Sequence, residues 1–130
     1  MNTIPFQFNR QIDADLLYSL YESDYLYIEE IFNITLTHYD EDVDVFATHH
    51  HTGNLDGLKR AVHKLKPVFG FVAMPGVEQC CIDFEEKYTR TTDMRELRTD
   101  SEKLLHRFKE SKKILKEDLQ KLSAHNKNTE

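Results

Sequence analysis

The sequence predicts an all-α protein, an up-and-down antiparallel four-helix bundle with a short extra N-terminal helix. Three observations predict it. Apolar residues recur at alternating three- and four-residue spacing through four long segments, the period of a helix with one buried face. No Gly or Pro interrupts the chain between Pro5 and Gly53. The long segments are separated only by brief turn signals, at Thr52-Gly53-Asn54, Met74-Pro75-Gly76 and Thr91-Thr92-Asp93. Short connections of that kind make sequential helices antiparallel neighbours.

Residues 1–12 read as irregular, with Pro5 and the aromatics Phe6 and Phe8 placed to cover one end of the bundle. Asp13 is a suitable N-cap for a short helix through Leu16, Leu17 and Leu20 to about Tyr21. Ser23 or Asp24 restarts a helix over roughly 24–51. Its apolar face is Leu26, Ile28, Ile31, Phe32, Ile34, Leu36, Tyr39, Val43 and Phe46. Asn54 caps the next helix, whose stripe is Leu55, Leu58, Val62, Leu65, Phe69 and Val72. Pro67 lies inside it. Proline removes the N–H that would reach the carbonyl of His63 and crowds that carbonyl, at a cost of about 3 kcal/mol. A kink or loosening is expected there, with the helix continuing because the stripe runs on both sides. Pro75 suits a first helical position and opens a helix of about 76–90 carrying Val77, Cys81, Phe84 and Tyr88. The last helix has two possible starts, Asp93 or a capping box at Thr99-Asp100-Ser101-Glu102. Its core face reads Leu97, Leu104, Phe108, Leu115, Leu119 and Leu122, and residues 124–130 read as frayed.

The chain has 130 residues, 39% hydrophobic and 31% charged, enough for one domain with a single core. No run approaches the ~20 apolar residues of a membrane span. Met1-Asn2-Thr3-Ile4-Pro5 lacks the basic region and apolar core of a secretory signal. A cytoplasmic protein is expected, and the starting Met1 and polar tail point to a free-standing one. Cys80 and Cys81 are adjacent, a spacing that suits neither a disulfide nor a zinc site. Two ordinary thiols in a reducing compartment are the expectation. Net charge is −6, and the negative total argues against nucleic acid as a partner. The charge is uneven: residues 1–58 hold eleven acids and one base, whereas residues 59–130 hold sixteen bases and twelve acids.

The sign changes at the stretch His63-Lys64-Leu65-Lys66-Pro67-Val68-Phe69-Gly70. Beside its apolar stripe, Lys59, His63, Lys66, Pro67 and Gly70 share a neighbouring helix face. That face offers an imidazole, a lysine one turn on, and two residues with little or no protruding side chain. An exposed histidine beside a cation, with the surface cleared ahead of it, suits reaction with a bulky anionic partner. Gly70 costs about 1 kcal/mol against Ala within a helix, so it calls for a reason. Either partner clearance or close helix packing supplies one.

These residues resemble the histidine-containing phosphotransfer (HPt) domains of two-component phosphorelays. In that family a His-x-Leu-Lys-Gly motif sits on the second long helix of a four-helix bundle. Here the motif is His63-Lys64-Leu65-Lys66, with Pro67 where the family has glycine and Ala73 near the motif's end. The resemblance extends over roughly residues 13–122, through the Glu22-Ser23-Asp24 helix start, the Gly53-Asn54 turn and the Phe84-Glu85 helix. It implies that His63 accepts a phosphoryl group from the aspartate of a response-regulator receiver domain, or of a hybrid histidine kinase, and passes it to another receiver. It implies that Lys66 stabilises the phosphoryl group by a charge-assisted contact. Glu85 is the candidate partner for the other ring nitrogen. Lys59, Pro67 and Gly70 are the candidate docking residues. Magnesium would belong to the partner receiver, and a monomer is the family expectation. No phosphate-cradling glycine loop is present, so the chain reads as a phosphocarrier without kinase or ATPase activity of its own.

Two rivals were weighed. His49-His50-His51 is conspicuous, but consecutive helical residues point about 100° apart and cannot share one ion. Glu-x-x-His pairs of a di-iron bundle are missing, so no intrinsic metal or other cofactor is expected; adventitious binding at 49–51 stays open. The stronger rival is an unphosphorylated docking module that binds a response regulator or another signalling protein and leaves His63 unused.

Overall fold

The computed structural model describes residues 5–91 and 93–128. Within them the chain forms α1 (Ala14–Tyr21), α2 (Tyr25–Thr52), α3 (Leu55–Phe71), α4 (Pro75–Arg90) and α5 (Met94–Asn128). Each start follows from a local cap. Asp13, Asp24 and Asn54 accept the backbone N–H groups of Leu16, Tyr27 and Gly57. Pro75 takes the first position of α4. Asp93 accepts from Arg95 and Glu96, which decides between the two starts open for α5. Gly53 closes α2 in the left-handed region at φ 68°. α3 runs unbroken across Pro67.

The long helices form a square. α2 packs on α3 and α5, α4 packs on α3 and α5, and α1 lies on α2. Cross-contacts show each neighbouring pair to be antiparallel. On α2 and α5, Tyr39 donates to the carbonyl of Phe108, and His50 meets Ser101. Asp42 holds Lys64 across α2 and α3, and Tyr88 donates to Asp56 across α3 and α4. Leu58, Val62, Leu65 and Phe69 are buried on α3, against Ile28, Phe32, Tyr39, Val43 and Phe46 on α2. Phe69 stacks on Phe108 at 5.7 Å and stands edge-on to Tyr39. The histidine-bearing helix thus rests on a close-packed aromatic layer. Leu26 and Ile34, expected on the apolar face of α2, are instead exposed.

A further expectation is corrected. Residues 124–128 continue α5 rather than fray, and Asn126 is buried. Its amide donates to the carbonyl of Tyr25 and to Glu29, which ties the end of α5 to the start of α2; residues 129–130 lie outside the described residues. The N-terminal segment locks the same end. Phe6 is buried, its N–H donates to Tyr25 Oη, and the N–H of Asn9 donates to Asp118 at 2.6 Å. The buried seam of α5 runs Leu97, Ser101, Leu104, Phe108, Ser111, Leu115, Asp118 and Leu122 in strict alternation of four and three. Its polar members hid part of that rhythm from the sequence. Among the described residues, no helix is long and apolar enough to cross a membrane.

Candidate functional site

His63 lies midway along α3, one helix face away from the buried Val62 and Leu65. Its side chain is 74% exposed. It makes one close polar contact, Nδ1 to Glu85 Oε2 at 3.5 Å, longer than a good hydrogen bond and within electrostatic reach. Lys66, one turn on, places its ammonium 2.8 Å from the other oxygen, Glu85 Oε1. A single carboxylate from α4 therefore faces both the imidazole and the lysine. Glu85 is only 21% exposed and Lys66 29%, so solvent screens this pair less than it screens a free surface pair. The hydrogen bond to Glu85 raises the Lys66 pKa, with burial opposing it. This ammonium stays charged through the physiological range.

The surface beyond His63 is low. Pro67 is exposed. A Cβ placed on Gly70 would meet only Glu78 Oε2, at 3.3 Å, so no neighbouring helix backbone demands a glycine there. Gly57 is the opposite case. A Cβ there would collide with the His49 ring, so this glycine makes room for that side chain between α2 and α3. Past Gly70 the face turns apolar at Phe71, which is 58% exposed. The carbonyl of Phe71 accepts the Tyr21 hydroxyl at 2.8 Å, which fastens α1 to the end of α3.

On the other side of His63 the surface is polar. An open concavity is lined by Asp56, Lys59, Arg60, His63, Lys64 and Glu85. Lys59 holds its ammonium 5.2 Å from the centre of the Tyr88 ring, a cation–π contact. Tyr88 donates to Asp56 at 2.6 Å, and Lys64 pairs with Asp42 at 3.0 Å. The structure thus brings His63, Lys66 and Glu85 together and sets Lys59, Pro67 and Gly70 around them. The sequence reading did not pick out Asp56, Arg60 or Tyr88 as part of this surface. Asp56 and Arg60 were legible in principle, because they precede His63 by seven and three residues on one helix face. Tyr88 follows Glu85 by three, but its place in the apolar stripe of α4 reads as core.

The other candidates separate. His49 packs on Gly57, His50 is buried with Nδ1 2.6 Å from Ser101 Oγ, and His51 is exposed. The three rings thus lie in three different settings. Among the described residues, no group of three or more His, Cys, Asp or Glu side chains is placed to hold a metal. Cys80 and Cys81 are free thiols, and burial pushes Cys81 up to about 12, which leaves it unreactive.

A helical bundle that presents a solvent-facing histidine midway along α3, with a lysine and a carboxylate beside it, has the build of a phosphotransfer domain. The family comparison agrees: the Hpt domain model matches residues 30–125, and the chain belongs to the Hpt domain family. The fold is similar to that of the HPT domain from the Hpt sensor hybrid histidine kinase from Shewanella. That match has a TM-score of 0.74 at 19% identity, covering 87% of this chain and 97% of the other. No curated protein matches the sequence.

Proposed function

We propose that this protein is a phosphorelay carrier in which His63 accepts a phosphoryl group from a receiver-domain aspartate and returns it to the aspartate of another receiver. The observation that carries this reading is the exposed imidazole facing a carboxylate that also holds Lys66. With Nδ1 turned to Glu85, Nε2 is the nitrogen left to react. Its lone pair forms the new P–N bond as the P–O bond to the aspartate breaks, and the carboxylate leaves with the electron pair. The ring gains positive charge, which the Glu85 carboxylate offsets at Nδ1. Lys66, one turn along the helix, carries a charge opposite to that of the phosphoryl oxygens. Return to a second receiver is the same step reversed. Magnesium acts in the partner's site, and the carrier works as a monomer in the cytoplasm.

Docking is assigned to the His63 face. Pro67 and Gly70 keep the approach low, and Phe71 offers apolar surface next to them. Pro67 lacks a long side chain, as the family's glycine does, so it preserves clearance in front of the histidine.

The test is transfer from a panel of phosphorylated receiver domains with magnesium, comparing wild type with His63→Gln. The expected result is an acid-labile, base-stable label on wild type alone. A label that persists in His63→Gln would refute the assignment. No label from any receiver would favour the docking-module alternative.

A further inference from the structure

We infer that Lys59 and Arg60 form a cationic rim that recognises an acidic surface beside the phosphoryl-bearing aspartate of the donor protein and sets how that protein lies on α3. The inference rests on the carrier reading above and names a chemical property of the partner. It starts from which charges near His63 are already engaged. Asp56 accepts the Tyr88 hydroxyl, Asp42 holds Lys64, and Glu85 holds Lys66. Among the described residues, no ion pair engages Lys59 or Arg60. Lys59 lies over the Tyr88 ring, and both cations line the concavity beside His63. They precede His63 by four and three residues, on the turn before it. The chain as a whole carries −6, so its average field repels an acidic partner. The Tyr88 hydroxyl leaves Asp56 its charge, but the two cations outnumber that one carboxylate, and against the negative background this net positive rim draws such a partner to the reactive histidine.

The rim also breaks the symmetry of the docking face. Toward the start of α3 the surface beside His63 is cationic, and toward its end, at Pro67, Gly70 and Phe71, it is uncharged. A donor with acidic residues on one side of its phosphoryl group and apolar residues on the other fits in one direction only. Rim charges of this kind act mainly on association rate and specificity.

The experiment measures the bimolecular transfer rate from the receiver that loads wild type fastest, at several salt concentrations. The variant is Lys59→Glu with Arg60→Glu, and Arg60→Glu alone serves if the pair does not fold. Lys113→Glu with Lys116→Glu is the control. It changes the net charge equally, but those lysines line the groove between α2 and α5. Labelling by phosphoramidate, which needs no docking protein, is measured alongside. There the P–N bond to ammonia breaks as the bond to the imidazole forms.

The rim variant is expected to be slower by about tenfold at low salt, with the gap closing above ~150 mM. The control should match wild type, and the rim variant should still take up label from phosphoramidate. Equal rates for rim variant and wild type at every salt concentration overturn the inference, as does an equal slowing by the α5 control. If no receiver loads wild type, the inference falls with the choice of partner. Failure of phosphoramidate to label His63 brings down the carrier reading itself.

Discussion

Gly70 should behave as a glycine kept for its surroundings rather than for the bundle. Its Cβ position faces open space apart from one carboxylate oxygen of Glu78 at 3.3 Å. That oxygen ends a flexible side chain and can yield a few tenths of an ångström. Alanine in a helix interior is favoured over glycine by about 1 kcal/mol. Gly70→Ala is therefore expected to stabilise the protein by ~0.5–1 kcal/mol once the shift of Glu78 is allowed for. For a chain of 130 residues, 1 kcal/mol moves the melting temperature by about 4 °C. Thermal and urea unfolding read this directly. Transfer should follow size instead: little changed for Ala, and falling through Gly70→Leu to Gly70→Trp, because those side chains project onto the docking face. Phosphoramidate labelling of His63 should stay near wild type across the series. Destabilisation by Gly70→Ala of more than ~1 kcal/mol would mark a packing glycine and defeat the argument. So would a Trp variant that exchanges phosphoryl groups with a receiver at the wild-type rate.

Three further outcomes are expected. Gly57→Ala places a Cβ 2.3 Å from the His49 ring. It should lose ~1–3 kcal/mol to overpacking, only partly offset by helix propensity, and His49→Ala should restore much of that loss in a double-mutant cycle of unfolding energies. Burial first, and then the nearby His51 and Arg98 charges, lower the His50 pKa below the ordinary imidazole value, with Glu102 opposing. A depressed folded pKa contributes stability that is present above ~6.5 and lost as pH falls through the folded value. Urea midpoints should therefore drop between pH 7.5 and 5.5, and more steeply for wild type than for His50→Gln, whose amide can still reach Ser101; parallel slopes would contradict this. Glu85→Gln should slow transfer to His63 by about tenfold, on the scale of a charged contact worth ~1.5 kcal/mol. It should leave the urea midpoint nearly unchanged, since a partly exposed pair adds little to stability.

Where helix faces are apolar and caps are local, the fold was readable from the chain. Asp13, Asp24, Asn54 and Pro75 act within three residues of themselves, so the starts of α1 to α4 follow from neighbours in sequence. The end of α5 was not readable in this way. Asn126 and Asp118 look like surface residues until the start of α2 and the irregular N-terminal segment arrive to bond them. Ser101 is similar, because its hydroxyl donates to the carbonyl of Arg98 and its oxygen is left to accept from His50 Nδ1–H, fifty-one residues away. The site divides along the same line. His63, Lys66, Pro67 and Gly70 share one helix and could be placed by periodicity. Glu85 needed a bundle to bring it near, and it entered the reading through family resemblance. Tyr88, which bonds Asp56 and lies under Lys59, needs contacts between two helices, which no single-helix pattern contains.

The aromatic layer beneath α3 has a mechanical consequence. With Leu65 and Phe69 fully buried and Phe69 stacked on Phe108, the helix has no slack with which to advance its histidine. Only the bonds of the His63 side chain can turn. On the proposed carrier reading, the imidazole works as a peg of fixed length on a stiff bar, and whatever exchanges phosphoryl groups with it must supply the socket. Every partner, donor or recipient, has to offer a recess of the same depth. Sockets cut to one gauge cannot tell partners apart, so the choice among them falls to the ground around the peg.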